Sequence, residues 1–454
     1  MGAREFQAVV LAAGHGTRFT DLVGSRPKCL LPVGPFPLIF YPLNLLSRYG
    51  FEDVIVIVLE SQKGEIVQRV DKLPLKLKYD FVTISSDSDY GTADALRSIS
   101  ERIKSDVFLI SCDIVTNVDF YPVLNMFRQN DASIVSVFIN GPTASDSTSS
   151  ITIPGPKTKL KHERDLVGIN PTNDRLLFLA STSDFEDTMT LPAHLLRSHG
   201  KVVIHSGLVD AHIYLIKKWV VEYLAKSDRF STIKGELLPF IIKKQMSRPS
   251  HASVNLGYSE VSFDSNDIFE HVKQDELEDK ILETNLNNFS RLKNSNNAEL
   301  IRCYAYIAPP ESTGVRVNTM HGYCVANKKV FELWESLAGK APLVSANAII
   351  KSTQMSDCAV ADNTTISEKT SIKSTVFGVN CVVHEKTRIS DSYIMNNVTI
   401  EEMVVLENCI VCDKAVIKKG SVLKNCLVGF NFVVQEETVK DKAHLTGEGY
   451  MEIE

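Results

Sequence analysis

A glycine-rich segment near the amino terminus has the residue types of a phosphate-binding loop. An apolar run at residues 8–13 leads into Gly14-His15-Gly16-Thr17-Arg18, and Arg26-Pro27-Lys28 follows. Glycine lets the backbone approach an anion closely and point its N–H groups at it. Arg18 and Lys28 can then neutralise oxygens on neighbouring phosphates. Because the spacing is neither that of a P-loop nor that of the dinucleotide fingerprint, it predicts a phosphate cradle of another type.

The elements that position this loop alternate between strand and helix. Continuous β-branched runs at residues 54–58, 107–110 and 132–139 are separated by helix-length segments. Buried strands of this kind predict an α/β doubly wound (Rossmann-like) domain with a parallel sheet. Such sheets bind ligands at the carboxyl ends of their strands, where the glycine loop and Asp113 both fall.

These residues also have a purely structural explanation. Tight strand-to-helix turns need glycine with or without a ligand. Arg18 and Lys28 can form salt bridges within the domain, and Asp113 can cap the turn after its strand. From the residues alone, both explanations stay open.

The carboxy-terminal quarter repeats every six residues. Seven branched aliphatic residues stand in one register: Val398, Val404, Ile410, Val416, Val422, Val428 and Val434. A six-residue period fits neither a helix nor a flat strand. It predicts a parallel β-helix of hexapeptide repeats with about five coils of about 18 residues, and places these side chains in its interior. Because coils stack in one dimension and their ends must be capped or paired, the β-helix is expected to be an assembly surface.

The chain therefore divides into five predicted regions. Residues 1–246 form the α/β domain, and residues 247–300 form an acidic, polar insertion or linker. Residues 301–342 form a strand-rich transition with a short helix near residues 328–337. Residues 343–434 form the β-helix, and residues 435–454 form a polar tail without hexads.

Composition excludes several classes of function. A formal net charge of -6 and a pI near 6.0 argue against a general binder of nucleic acid or membrane surfaces. No signal peptide and no membrane-spanning segment are predicted. Nine cysteines without framework spacing indicate a reducing, cytosolic setting. Cys409 and Cys412 form an isolated C-x-x-C, which we interpret as buried or wall thiols rather than a zinc site.

Several segments resemble the sugar-1-phosphate nucleotidyltransferases. The signature consists of Gly-x-Gly-Thr-Arg at residues 14–18 and Pro-Lys-x-Leu-x-Pro-Val at residues 27–33, and several of these enzymes carry a left-handed β-helix. Gly91-Thr92-Ala93 resembles their base- and sugar-contacting loop, and Asp113 stands where they bind a metal ion. The resemblance implies attack of a sugar phosphate on the α-phosphate of a nucleoside triphosphate, with Mg²⁺ held by carboxylates and with Arg18, Lys28 and Asp113 taking part.

Four positions depart from the enzyme pattern. Phe36 replaces a lysine before proline, and Cys112 replaces the glycine before the metal-binding aspartate. Glu163-Arg164-Asp165 replaces Glu-Lys-Pro, and His212 replaces a glycine that gives a sugar room. Together they predict a fold whose sugar chemistry has lapsed. No catalytic residues are expected.

The combined pattern resembles the gamma-subunit family of eukaryotic translation initiation factor 2B. Residues 41–46, 89–94 and 205–212 carry this resemblance. It implies a non-catalytic subunit of a guanine-nucleotide exchange factor that acts on initiation factor 2. The related epsilon subunit continues into an all-helical domain that performs the exchange. Since no such domain follows the hexads here, this chain is expected to support exchange rather than perform it. The implied direct partner is the epsilon subunit, and the alpha, beta and delta subunits join them in a decamer. No direct contact with nucleic acid or membrane is expected. The expected compartment is the cytosol.

The same resemblance implies which residues remain from the ancestral site. They are candidates for vestigial nucleotide or phosphate binding, with Asp113 as the one candidate metal ligand: Gly14, Gly16, Thr17, Arg18, Lys28, Gly91 and Thr92. No cofactor is required, although a residual nucleotide with Mg²⁺ stays open. Two alternatives also stay open. One is an active sugar-1-phosphate nucleotidyltransferase of the GDP-mannose pyrophosphorylase type. The other is a hexapeptide acyltransferase, for which His384 is the one histidine in the hexad region.

Overall fold

The computed structural model describes residues 5–14, 16, 26–86, 90–141, 152–155, 165–182, 195–196, 201–247, 268–272, 300–339 and 341–446. The predictions for Thr17 and Arg18, for Glu163 and Arg164, and for most of the acidic segment lie outside these residues.

The amino-terminal domain is a mixed sheet between two layers of helices. Its strands, four of which form two separate two-stranded pairs, are β1 Phe6–Leu11, β2 Pro32–Val33, β3 Phe36–Pro37, β4 Asp53–Leu59, β5 Lys78–Ile84, β6 Asp106–Ser111, β7 Ile114–Thr116, β8 Ile134–Asn140, β9 Asp165–Asn170, β10 Arg175–Ser181, β11 Val203–His205, β12 Leu208–Ile216, β13 Cys303–Ile307 and β14 Gly314–Arg316. The α-helices are α1 Phe40–Arg48, α2 Lys63–Val70, α3 Thr92–Ser98, α4 Tyr121–Gln129, α5 Lys218–Lys226, α6 Leu238–Lys244 and α7 Met320–Ala338.

The sheet has the order β11-β9-β10-β13-β8-β12-β6-β1-β4-β5. The four strands β5, β4, β1 and β6 are parallel, and their buried aliphatic side chains alternate between two cores. Val9 packs with α3, α5 and α6, whereas Ala8 and Val10 pack with α1, α2 and α4. The prediction of a doubly wound α/β domain is confirmed, but a wholly parallel sheet was wrong. Strand β12 runs antiparallel between β6 and β8, and β9, β10 and β11 pair antiparallel with one another.

Residues after the acidic segment return to this sheet. Strand β13 pairs in parallel with β8 and antiparallel with β10, and its first three residues are buried. The α/β domain therefore does not end at residue 246, and the boundary with a separate transition at 301 is corrected. The alternating Cys-Tyr-Ala-Tyr-Ile run fills a gap between two strands from far earlier in the chain. Residues 247–300 are thus an insertion within the domain.

Helix α7 joins the two domains and is longer than the short helix predicted near residues 328–337. Thr319 caps it, since its hydroxyl accepts a hydrogen bond from the Gly322 N–H at 3.1 Å. One side packs on the β2–β3 hairpin and α1, and the other on one wall of the β-helix.

The carboxy-terminal domain consists of three parallel six-stranded sheets, the arrangement of a left-handed β-helix. The first sheet holds β15 Ile349–Ile350, β18 Thr365–Ile366, β21 Val382–Val383, β24 Thr399–Ile400, β27 Val416–Ile417 and β30 Val433–Val434. The second holds β16 Gln354–Ser356, β19 Ser371–Lys373, β22 Arg388–Ser390, β25 Val405–Glu407, β28 Val422–Lys424 and β31 Val439–Asp441. The third, which faces α7, holds β17 Ala359–Val360, β20 Val376–Phe377, β23 Tyr393–Ile394, β26 Ile410–Val411, β29 Leu427–Val428 and β32 His444–Leu445.

The β-helix is therefore longer and more tightly wound than the prediction. It has six coils rather than five, and its strands reach residue 445, inside the predicted polar tail. The tail was misjudged because β31 carries Val439, Lys440 and Asp441, all exposed, so it shows no buried hexad. From β18 onwards one coil takes 17 residues, as in the pairing of Thr399 with Val416.

The predicted register is also wrong for part of the hexad series. Each corner has one residue with positive φ, and these occur in steps of six, five and six: Asn397, Met403, Asn408, Lys414, Gly420, Asn425 and Asn431. The interior aliphatic residues follow the same steps: Ile400, Leu406, Val411, Ile417, Leu423, Val428 and Val434. Because one corner of three is a residue shorter, a strict hexad drifts out of phase. Val416 and Val422 lie half-buried on the outer surface.

Candidate functional site

The glycine loop and Asp113 meet at the carboxyl edge of the parallel strands. The Cys112 N–H donates to the Leu11 carbonyl at 3.0 Å, which fixes the end of β6 beside the end of β1. Gly16 has a φ of 68°, a left-handed conformation that favours glycine. An added Cβ on Gly14 would meet no atom of the described residues within 4 Å.

Asp113 lies in a network of charged hydrogen bonds. It is 3 % exposed. Its Oδ2 accepts from Lys28 Nζ at 2.6 Å and from Arg316 Nη2 at 2.9 Å, and its Oδ1 accepts from Ser111 Oγ at 2.8 Å. The structure thus brings together two predicted residues, Lys28 and Asp113, and adds a cation that the sequence analysis missed.

The two cations keep the Asp113 carboxylate ionised. Burial alone would raise the pKa of Asp113, but the positive charges of Arg316 and Lys28 outweigh burial and hold that pKa well below its usual value. For Arg316, burial would lower the guanidinium pKa, but the Asp113 charge raises it overall. Each charge is therefore stabilised by the other.

Arg316 comes from strand β14, which pairs antiparallel with β7 directly after the Asp113 turn. Val317 N–H donates to the Asp113 carbonyl at 2.8 Å, so the backbone of this segment is fixed as well. Its sequence carries no motif, and 203 positions separate Arg316 from Asp113. No local signal could have identified it.

His212 keeps the backbone conformation of the glycine that it replaces in the enzyme pattern. Its φ is 52°, at a bulge of β12, and its N–H donates to Asp210 Oδ1 at 2.7 Å. Histidine is one of the side chains that tolerates this region. Burial, reinforced by the charge of Arg316, lowers the pKa of the His212 imidazole well below its usual value, so the ring is neutral. A side chain therefore occupies space that glycine would leave free.

The Gly91-Thr92-Ala93 loop caps helix α3 and is held by the protein itself. The Ser231 carbonyl accepts from Ala93 N at 2.8 Å, and Thr92 Oγ1 accepts from Ile233 N at 2.9 Å. An added Cβ on Gly91 would overlap the Ser231 carbonyl oxygen. The close contact between Gly91 and the Ser231 carbonyl is enough to require glycine at this position, with or without a ligand.

Two other departures from the enzyme pattern have local partners. Phe36 stacks on Phe40 at 4.1 Å between ring centroids and on Trp334 of α7 at 6.1 Å, so it serves the contact between domains. Asp165 is buried and pairs with Lys234 at 2.8 Å. Both residues therefore have structural partners within this chain.

The thiols lie apart from this site. All nine cysteines are buried, and none of them forms a disulfide. Cys409 faces the β-helix interior and Cys412 the α7 side, so the two do not converge on one ligand.

In the described part of the chain, no group of three or more His, Cys, Asp or Glu side chains could hold a metal ion. The helices that the structure describes include none long and apolar enough to span a bilayer.

Comparison with known proteins finds a matching protein family for each of the two domains. A family model described as nucleotidyl transferase matches residues 7–149, and one described as the LbH domain of eIF2B subunit epsilon matches residues 344–439. The translation initiation factor eIF2B subunit gamma of Schizosaccharomyces pombe is 29% identical over 81% of this chain and 74% of its own length.

Two more relatives are more distant. The eIF2B subunit epsilon of Schizosaccharomyces pombe is 22% identical over 51% of this chain and 34% of its own length. Mannose-1-phosphate guanylyltransferase of Mycobacterium tuberculosis is 27% identical over 30% of this chain and 37% of its own length. The enzyme is similar to less of this chain than the gamma subunit is. The chain is therefore similar to the eIF2B gamma subunits over most of its length: a nucleotidyl transferase domain precedes an LbH domain of the eIF2B type, and the alignment with a gamma subunit covers 81% of this chain.

Proposed function

We propose that this chain is a non-catalytic gamma-type subunit of an eIF2B complex that supports guanine-nucleotide exchange on initiation factor 2. The single observation that carries the loss of sugar chemistry is the pairing of Asp113 with Arg316 and Lys28. Nucleotidyl transfer rests on Mg²⁺ held by carboxylates. Here the aspartate at the metal position is already neutralised by two cations of the protein, and a divalent ion there would face both of them.

The substrate side of the cleft supports the same proposal. His212 fills a glycine position, and the Gly91-Thr92 loop uses its hydrogen-bonding groups on residues 231–233. Both features reduce the room for a sugar and a base without disturbing the fold. Such internal contacts are expected when a site is kept for structure rather than for turnover.

The β-helix supports the choice of partner. It matches the epsilon LbH model, and the epsilon subunit is itself a relative. We propose direct pairing with epsilon through both domains, and assembly with alpha, beta and delta subunits in a decamer, without contact to nucleic acid or membrane. We place the complex in the cytosol, where nine cysteines outside disulfides stay reduced.

Residual nucleotide binding is a separate part of the proposal. Gly14 has room for a Cβ among the described residues, Gly16 has the left-handed conformation that favours glycine, and Lys28 supplies a cation at Asp113. Thr17 and Arg18 belong to the same motif. A nucleotide bound there would use backbone N–H groups and cations, and Mg²⁺ is not required for its retention.

The test combines an enzyme assay with reconstitution. The purified chain is incubated with Mg²⁺, each common nucleoside triphosphate and each of several sugar 1-phosphates, and pyrophosphate release is measured beside a mannose-1-phosphate guanylyltransferase. We expect no turnover above background. Release at an enzyme-like rate would support the second candidate, an active nucleotidyltransferase, which the 27% identity to the guanylyltransferase favours.

Exchange on initiation factor 2 is then measured for the epsilon subunit with and without this chain. We expect co-purification with epsilon and faster exchange when the chain is present. A chain that neither binds epsilon nor changes the exchange rate would refute the subunit proposal, whatever the outcome of the enzyme assay.

A further inference from the structure

A polar cleft lies between helix α2 of the α/β domain and one corner of the β-helix. Its volume is about 460 Å³, within the range of small-molecule sites. Arg69 and Lys72 approach it from the end of α2, and Lys414 from the corner after β26. Val379 and Phe430 are its two apolar lining residues. Both domains therefore contribute to the walls.

The acidic groups of the cleft already have partners. Asp413, 4 % exposed, forms an ion pair with Arg26 at 2.6 Å across the two domains, and its Oδ1 accepts from Asn396 N at 2.7 Å. The Asp362 carboxylate accepts from the Ser345 hydroxyl. Glu65, the third acidic residue of the lining, lies 3.9 Å from Arg26, so each acidic group has a partner within the protein.

The remaining cations are not satisfied. Arg69 is half-buried, and among the described residues it forms no hydrogen bond and no ion pair within 4.0 Å. Burial, together with the like charge of Arg26, lowers the pKa of Arg69 and outweighs the opposing charges of the three carboxylates of the lining, Glu65, Asp413 and Asp362. Lys414 Nζ lies 5.5 Å from the centre of the Phe430 ring and has no ion pair within the described chain. Arg69 lines the same cleft as Arg26 and is affected by its charge, so an anion bound beside Arg69 would stabilise its guanidinium group.

We propose that this cleft binds the phosphoryl group of a small phosphorylated metabolite, held by Arg69, Lys72 and Lys414. Guanidinium groups match the geometry of phosphate oxygens, and the polar walls suit a hydrated organic phosphate rather than an acyl chain. The ligand would contact α2 and the β-helix at once, so its binding energy would stabilise their contact. The site is separate from the Asp113 cleft and does not depend on the proposed function.

Pyrophosphate is a suitable probe, and isothermal titration calorimetry of the full chain is the assay. EDTA removes divalent ions, and potassium chloride keeps the ionic strength constant. We expect saturable binding and a rise in Tm. Arg69→Gln should weaken binding about tenfold or more, the effect of losing one charge-assisted contact. Lys72→Gln, at an exposed position, should weaken it in the same direction and serves if the Arg69 variant does not fold.

Two controls locate the site. Lys63→Gln lies at the start of the same helix, outside the cleft, and should bind as the wild type does. Lys28→Gln removes a cation of the glycine cradle and so identifies any pyrophosphate bound there; the binding that Arg69→Gln and Lys72→Gln weaken should persist in this variant. The proposal fails if the wild type shows no saturable binding, if Arg69→Gln and Lys72→Gln bind normally, or if Lys28→Gln alone abolishes binding. It fails equally if a phosphopeptide binds at Arg69 and pyrophosphate does not.

Discussion

The neighbouring residues Val422 and Leu423 distinguish a strict hexad from the observed coil of 17 residues. A strict six-residue register places Val422 inside the β-helix. In the structure Leu423 is fully buried and stacks in register on Leu406, whereas Val422 is half-buried on the outer surface. The informative variants are Leu423→Ala and Val422→Ala, because they truncate adjacent side chains of one strand.

The expected magnitudes follow from burial. Truncation of a fully buried leucine to alanine costs about 2–5 kcal/mol, including the cavity that it leaves. Truncation of Val422 removes fewer atoms from a surface that is partly in water, so we expect a loss of no more than about 1 kcal/mol. Aspartate substitutions at the same two positions should differ more in their effect on stability. Leu423→Asp buries an unpaired carboxylate in the interior, whereas Val422→Asp leaves its charge in contact with water.

Urea unfolding followed by far-ultraviolet circular dichroism measures both pairs. Since the chain has two domains, the midpoints of each transition are compared rather than a single free energy. We expect Leu423→Asp to remove the β-helix transition and Val422→Asp to keep it. Equal losses for the two alanine variants, or a larger loss at Val422, would refute the assigned register.

Three further outcomes are expected. Gly91→Ala should destabilise the chain by about 1–3 kcal/mol, because its Cβ overlaps a neighbouring carbonyl, whereas Gly14→Ala should change Tm little; equal effects would contradict the close packing of that loop. In Arg316→Gln the loss of Tm should be largest near pH 7 and should shrink below about pH 4. The pKa of Asp113 is lower in the folded chain than in the unfolded chain, so its ion pair stabilises the fold above the unfolded pKa, and this stability disappears as the carboxylate becomes protonated. A constant loss from pH 7 to pH 2 would contradict the ion pair. Asn327→Leu in α7 leaves a buried loop N–H without its acceptor, so we expect a loss of about 1–3 kcal/mol by thermal unfolding, and an unchanged Tm would contradict that bond.

Periodicity revealed the β-helix because its interior residues recur close to every sixth position. It could not fix the register, because both Val422 and Leu423 are aliphatic and hydropathy cannot choose between them. The information lies in the corners, where residues such as Asn425 adopt positive φ one position earlier than a hexad requires. A local pattern of turn residues therefore decides which face of the strand points inward.

The candidate site was predictable only where its residues are close to the strand ends. Lys28 and Asp113 could be placed at the carboxyl edge because parallel strands end there together. Arg316 could not, since its role depends on a pairing between β14 and β7 that no local signal encodes. Phe36 was recognised as a lost cation, but its stacking on Trp334 required knowledge of where α7 packs.

Strand β13 sits between β8 and β10, although the acidic segment separates it from both in sequence. A truncated protein ending near residue 246 would lack an inner strand and expose two open edges, which favours aggregation. A single proteolytic cut within residues 248–267, by contrast, would leave two fragments held together by the shared sheet. Fragment complementation, rather than expression of isolated halves, is therefore the way to study the two parts of this polypeptide separately.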